Sequence, residues 1–465
     1  MITRENEVVS GCFQLKGSFA RRFTPCCRFE FCLSKAVTYR VMPVSKLAPA
    51  PPSENASRNP RSSFAAFRHR DFRLLWAGQL VSGTGSQMQY VAINWHVYLL
   101  TKSALALGTV GLVRVVPIIL CSLVGGVVAD ALDRKRLMMV TQTVMLLSAG
   151  ALAAVTWLGL QSVWPIYLLT AVSAAATAFD NPARQALMPM LVPAEDFPNA
   201  VSLWLIVFHL STVVGPALAG LILASYSPAI VYAFNALSFL AVIVAVMLMR
   251  ARGRAVDAGS EASHVSFSAL TEGLRFVWRT PIIVQTMTLD FVATFFASAT
   301  ALLPIFAAEI LHVGARGLGM LAAAPAAGSV ITALLMARLG TLRRQGATVI
   351  GAIAVYGLAT IAFGLSRVFW FSLLMLALTG AADTISTVLR QTIRQLVTPN
   401  YLRGRMTSVN MVFFMGGPQL GELEAGAVAA LLGAPLSVVI GGAGCLAAVA
   451  LAMLTAKSLL KYESE

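Results

Sequence analysis

Two unbroken runs, residues 201–224 and 229–249, carry apolar side chains around the whole circumference of a helix, with no polar stripe. Each has the length of about 20 residues that crosses a hydrocarbon layer. Such a helix has no face to turn toward water, so it must sit in lipid or in a very large core. Composition decides between the two: 57% of the chain is hydrophobic and 12% charged, where soluble domains carry about a quarter charged residues. Too little polar surface remains to cover a globule of 465 residues. A soluble enzyme or a soluble nucleic-acid binder is excluded, and the chain reads as a polytopic membrane protein.

Twelve spans are expected near 73–100, 104–129, 137–160, 163–187, 200–224, 229–249, 281–309, 315–337, 346–366, 368–389, 407–431 and 434–456. They are helices, because barrel strands would be alternating segments of about ten residues. The fold class is therefore an all-α membrane protein.

The formal charge of +15 invites a nucleic-acid reading, but the cations sit in the short connections between spans. With the N-terminus inside, eighteen Lys and Arg beyond the N-terminal tail fall on the cytoplasmic side. Only Lys102, Arg316 and Arg367 fall opposite. That asymmetry places both termini in the cytoplasm of an inner-membrane protein. No basic groove with interleaved aromatics is visible, so no nucleic-acid partner is expected.

The expected organisation is a disordered cytoplasmic tail over 1–71 and a six-helix half over 72–250. A cytoplasmic loop over 251–280, a second half over 281–456 and a short tail over 457–465 complete it. The N-terminal tail has no apolar run of signal-peptide character. Its cysteines, Cys12, Cys26, Cys27 and Cys32, lack metal-ligand spacing, and no metal is expected.

The two halves overlay at one fixed offset of 206 residues. Gln79 falls on Gln285, Gly108 on Gly314, and Arg184-Gln185 on Arg390-Gln391. Pro193 falls on Pro399, Gly215 on Gly421 and Gly220 on Gly426. Six spans per repeat give both halves the same orientation, a parallel repeat about an axis normal to the membrane. Transporters built this way hold substrate between the halves and rock one against the other.

The first cytoplasmic hairpin runs from Gly126 through Asp130 and Asp133 to Arg134, Lys135 and Arg136. Its cations are a retention signal, and Gly126 allows close helix approach. The segment resembles the G-x-x-x-D-x-x-G-R-K motif of the major facilitator superfamily, in that motif's place between spans two and three. Asp133 stands where the family has glycine. The resemblance implies that Asp130 docks near Arg405 at the start of span eleven while Arg134 and Arg136 make charge contacts. In span five, Ser202, Ser211, Gly215-Pro216 and Gly220 match part of the family's antiporter motif, with small residues for close packing and a proline kink. The stretch 178–187 with Leu191-Val192-Pro193, together with Leu289-Asp290-Phe291 and 421–426, is similar to the enterobactin-exporter and transmembrane-secretion-effector subgroup. That resemblance implies two pseudo-symmetric six-helix halves and proton-driven efflux of a drug or siderophore.

Charges inside the spans are functional candidates, because placing one there costs at least about 2.5–3.5 kcal/mol. Arg114 and Asp290 lie about nine or ten residues into spans two and seven, near mid-membrane. Glu422 and Glu424 lie deep in span eleven, which the resemblance places beside span two. Arg114 is thus expected to pair with one of them, as a state-dependent or a static contact. The resemblance also puts span seven on the cavity, where Asp290, kept from water, can carry a proton. Asp180 precedes Arg184 by four residues and Asp383 precedes Arg390 by seven, so each acid shares a helical face with its arginine. The resemblance puts spans four and ten on the cavity, so both acids are grouped with the proton-coupling and cavity residues, as inner-gate pairs or simple caps. Gln87 and Asn94 in span one are cavity contacts or ordinary polar packing.

No GxxxxGK[ST], HExxH or GxSxG motif occurs, so no phosphate-binding loop, metalloprotease or hydrolase site is expected. No cofactor is expected beyond the proton gradient. The expectation is a monomeric, proton-coupled exporter of a small organic molecule, with that substrate and the bilayer as its partners. A uniporter or importer, and a non-transporting receptor or scaffold of the same fold, stay open.

Overall fold

The computed structural model describes residues 64–160, 162–251, 275–298, 300–339, 344–399 and 403–455. The expected tail cysteines, most of the central loop and residues 456–465 lie outside the described residues. So do the side chains of 123–131, 339, 403–405, 407–409 and 411–415, and with them those of Gly126, Asp130 and Arg405.

Twelve long helices run through the described residues, with no strand among them. In the first half these are α1 (Arg70–Thr101), α2 (Ala104–Ala131), α3 (Arg134–Trp157), α4 (Trp164–Leu187), α5 (Phe197–Leu223) and α6 (Pro228–Leu248). The second half holds α7 (Pro281–Phe296), α8 (Gly314–Leu339), α9 (Gln345–Leu365), α10 (Phe369–Val397), α11 (Arg403–Leu432) and α12 (Ala434–Thr455). Among the described residues nine spans are long and apolar enough to cross a membrane. The remaining three long helices, α1, α4 and α11, carry interior polar groups, including buried Gln79, Gln89, Asn94, Asp180 and Glu422.

Local chemistry explains the ends. Asp133, the departure from the family glycine, sits at φ −64° and caps α3 by accepting the Arg136 amide at 3.0 Å. Lys135 donates to the Met249 carbonyl at 2.7 Å, just past the end of α6. Gly433 turns α11 into α12 at φ +87°, a conformation that excludes most side chains. The span starting at α7 is not one regular helix. After Phe296 it passes through a 3-10 turn at Thr300–Leu302 and ends in a π turn at Phe306–Ile310.

The repeat is visible in the element bounds. Adding 206 to α6 gives 434–454, against Ala434–Thr455, and adding it to α5 gives 403–429, against Arg403–Leu432. The packing repeats as well: α1 meets α5 and α6 as α7 meets α11 and α12, and α3 meets α4 and α6 as α9 meets α10 and α12. Between halves α2 packs on α11 and α5 on α8, two contacts that the repeat exchanges.

These cross-half contacts close one end of the molecule, the face opposite the chain ends, called distal below. A Cβ on Gly426 would lie 2.7 Å from the Cα of Gly108, and one on Gly220 would lie 2.7 Å from the Cα of Gly319. Gly220 and Gly426 are repeat equivalents, so both seams depend on the same missing side chain. The largest core cluster joins the halves here, through Val97, Leu107 and Leu223 on one side and Leu302, Phe306, Leu318 and Ala429 on the other. Near the chain ends the clusters belong to single halves: Phe72, Leu75, Leu187 and Val246 in the first, and Leu289, Ile393 and Val449 in the second.

Candidate functional site

Below the distal seam lies a cavity of about 320 Å³, lined from both halves. Gln87, Tyr90 and Asn94 of α1 and Pro216 of α5 face Tyr356 and Thr360 of α9 and Thr379 and Asp383 of α10. Gln87 and Asn94, read from the sequence as cavity contacts or ordinary polar packing, both line this cavity. Asn94 donates to the Tyr90 carbonyl at 3.0 Å, and its buried Oδ1 has no hydrogen-bond partner. Gly215 lets α5 approach α1, since a Cβ there would lie 2.5 Å from that of Gln87.

Asp383 is the one acidic or basic side chain among the described residues lining this cavity, and about half of it is exposed. Behind it Arg390, 1% exposed, donates from Nη2 to Asp290 Oδ1 at 2.7 Å and lies 3.9 Å from Asp383 Oδ1. Arg394 reaches the other Asp290 oxygen at 4.0 Å and donates to Asn410 at 2.7 Å. Asp290, expected on the cavity as a proton carrier, is instead buried behind its lining and paired with α10 arginines. Two α10 arginines face α7, and a buried acid between them offsets their like charge.

Arg184 holds the equivalent place in the first half. It lies 3.4 Å from Asp180, donates to Gln79 Oε1 at 2.8 Å and to Asn181, and stands 5.5 Å from the Trp204 ring. The remaining capacity of Asp180 is taken by Thr141 (2.9 Å) and Gln142 (3.0 Å) of α3. Asp180, grouped with the cavity residues on sequence grounds, is instead buried in the α3–α4 packing.

The interface charges also differ from expectation. Arg114 forms no ion pair with Glu422 or Glu424 among the described residues, because Tyr90 stands between. The Arg114 guanidinium lies 4.6 Å from the centroid of the Tyr90 ring, and the Tyr90 hydroxyl donates to Glu422 Oε1 at 2.5 Å. Thr300, in the 3-10 turn after α7, donates to the same oxygen at 3.4 Å. Glu422 Oε2 is buried against Gly111 without a partner. Glu424, half-buried, makes no ion pair among the described residues. Nearer the distal face, Tyr98 donates to Glu309 at 2.7 Å, with Lys102 above the Tyr98 ring at 4.1 Å.

In the hairpin, Arg134 donates to the Ala186 carbonyl at 3.2 Å and contacts Met190 Sδ, tying α3 to the end of α4, while Arg136 is exposed. Sequence reasoning missed Tyr90, Thr300 and Arg394. Tyr90 had a signal, lying three residues after Gln87 and four before Asn94 on one helical face. Arg394 had another: a second arginine one turn after Arg390 is repulsive unless an acid intervenes.

Two six-helix repeats closed around a central charged cavity define a membrane transporter of the major facilitator type. The chain belongs to the transmembrane secretion effector family, whose model matches residues 61–464. It is 26% identical to the multidrug efflux pump Tap of Mycolicibacterium fortuitum over 366 residues, 77% of this chain and 88% of that protein. It is 24% identical to the enterobactin exporter EntS of Citrobacter koseri over 394 residues, 85% of this chain and 94% of that one. The fold is shared with the nucleoside transporter NupG (TM-score 0.65, 14% identity, 84% of this chain and 99% of that one). It is shared too with a bacterial homologue of the lysosomal transporter Spinster in an inward-facing, unoccupied conformation (TM-score 0.68, 13% identity, 85% and 99%).

Proposed function

We propose that this transporter is a proton-coupled exporter of a small amphipathic organic molecule, a drug or a siderophore, working as a monomer by alternating access. The observation that carries the reading is Arg390, 2.7 Å from buried Asp290 and 3.9 Å from cavity-facing Asp383. A proton bound by Asp290 removes the charge that holds Arg390. The freed guanidinium then turns to Asp383 and displaces a substrate held there. Loss of the proton returns Arg390 to Asp290 and readies Asp383 for the next substrate. Proton and substrate thereby compete through one arginine without sharing an atom, which is the logic of antiport.

The export direction follows the names of the relatives, an efflux pump and an exporter. The cation asymmetry supports an inner-membrane protein with both termini in the cytoplasm. With that orientation the distal seam is the outer gate, and this conformation receives substrate from the cytoplasm. Tyr356, Phe363, Leu376 and Leu318 give the cavity an apolar body with few polar positions, as amphipathic ligands require.

Purified protein in proteoliposomes under an imposed pH gradient, challenged with a panel of drugs and siderophores, tests the proposal. Substrate-triggered proton movement is expected. Substrate movement indifferent to the gradient would replace antiport by uniport, and absence of both flux and binding would favour a receptor of the same fold.

A further inference from the structure

A second cavity, of about 120 Å³, lies wholly within the first half, behind Tyr90 and among α1, α2, α3, α4 and α6. Its lining is rich in hydrogen-bond donors: Arg114, Gln89, Asn235, Ser86, Ser173 and Thr170. Among the described lining residues none is a carboxylate. Arg114 faces the Tyr90 ring and has no acid within ion-pair distance among the described residues; Glu422, bound to the hydroxyl of the same tyrosine and packed on Gly111, acts on it only at longer range. Thr170, 5% exposed, lines the cavity with its hydroxyl buried and unpartnered. A helical threonine usually returns its proton to the preceding turn, and a buried hydroxyl left without a partner is costly.

The internal repeat supplies an independent argument. At the offset of 206, Gln89 corresponds to Phe295, Arg114 to Met320, Thr170 to Leu376 and Asn235 to Gly441. At these four positions the second half carries apolar residues and glycine, although Ser173 and Thr177 correspond to polar Thr379 and Asp383, so the fold does not require a cation, amides or a hydroxyl at those four places. A cation and several donors, retained where hydrocarbon would suffice, indicate a ligand that accepts hydrogen bonds and carries negative charge.

We infer that this chamber is a binding site for a small monovalent anion of chloride size, held by Arg114 and the Thr170 hydroxyl. At about 30 Å³ per water, the space admits such an ion with roughly two or three waters. A larger organic anion would not fit without moving Tyr90. Because Tyr90 lines both cavities, an anion at Arg114 would sit directly behind the wall of the transport cavity. It would supply Arg114 with a counter-charge independent of Glu422.

Thermal unfolding of the full chain in detergent, titrated with sodium chloride against sodium gluconate at matched ionic strength, tests the site. A melting temperature that rises and saturates with chloride, and does not respond to gluconate, is expected. Arg114→Met, which installs the residue of the second half, should abolish the response. Thr170→Val, nearly the same shape, should move the midpoint to about tenfold higher chloride, the worth of one hydrogen bond to an ion. Should Arg114→Met fail to fold, Arg114→Lys keeps the charge and should keep a saturable response. Identical curves in chloride and gluconate, or variants that respond like the wild type, would overturn the inference. Neither outcome bears on proton coupling, which this assay does not read.

Discussion

Arg184 and Arg390 stand 206 residues apart in equivalent corners of the two halves, yet their partners differ in kind. The acid of Arg184 is Asp180, one turn earlier on the same helix, and Thr141 and Gln142 complete it. The closer acid of Arg390 is Asp290, on α7, and its more distant one, Asp383, opens on the cavity. The repeat equivalents of Asp290 and Asp383 are Thr84 and Thr177, so the first half has no acids with which to copy the arrangement. A pair carried on one helix moves with it as a rigid unit. A pair shared between two helices is made or broken when they shift. Under the proposed mechanism the first half therefore carries a fixed brace and the second a switch.

The largest expected difference comes from removing each arginine. Arg390→Met leaves Asp290 buried without its 2.7 Å partner, a defect worth about 3–5 kcal/mol. Arg184→Met leaves Asp180 with two hydrogen bonds and should cost clearly less. Heat-stability profiles of the two purified variants check this, and equal losses would erase the contrast between brace and switch.

The seams come next. A side chain at Gly220 meets the Gly319 backbone at 2.7 Å, so Gly220→Leu should drive α5 from α8 and populate a distally open state. Spin-label distances across the distal face should lengthen, while those within the first half stay fixed. A smaller effect is expected from Tyr90→Phe, which removes the donor to Glu422 (2.5 Å). Glu422 Oε1 would keep only the 3.4 Å contact from Thr300, a loss at the low end of the roughly 1–3 kcal/mol of an unsatisfied buried acceptor, read as a lower melting temperature. Smallest is Asp133→Ala, which deletes the α3 cap seen at 3.0 Å and should cost about 1 kcal/mol in the same assay. That loss should leave both arginine sites unchanged.

Spans and repeat were legible in the sequence because lipid imposes a one-dimensional rule: length and apolarity suffice, and a fixed offset survives in Gly220/Gly426 and Arg184/Arg390. The Asp180–Arg184 pair was legible for the same reason, since four residues on one helix fix the geometry. Contacts between helices were not. Asp290 to Arg390 spans 100 residues of chain, and only the packing of α7 beside α10 brings them together. Arg114 and Glu422 do lie on neighbouring helices, as the resemblance implied, but Tyr90 from a third helix separates them. Pairwise charge logic carries no term for an intervening ring. The interruption after α7 escaped notice because hydropathy is blind to a 3-10 turn, although that turn delivers Thr300 to Glu422.

The most direct test of the switch compares Asp290→Asn with Asp180→Asn in proteoliposomes, reading substrate-triggered proton flux alongside substrate binding. The account predicts that Asp290→Asn, which mimics the protonated state and leaves Arg390 to Asp383, binds substrate more weakly and moves no protons, while Asp180→Asn retains binding and coupled flux. Coupling that survives in Asp290→Asn, or disappears equally in both variants, would contradict it.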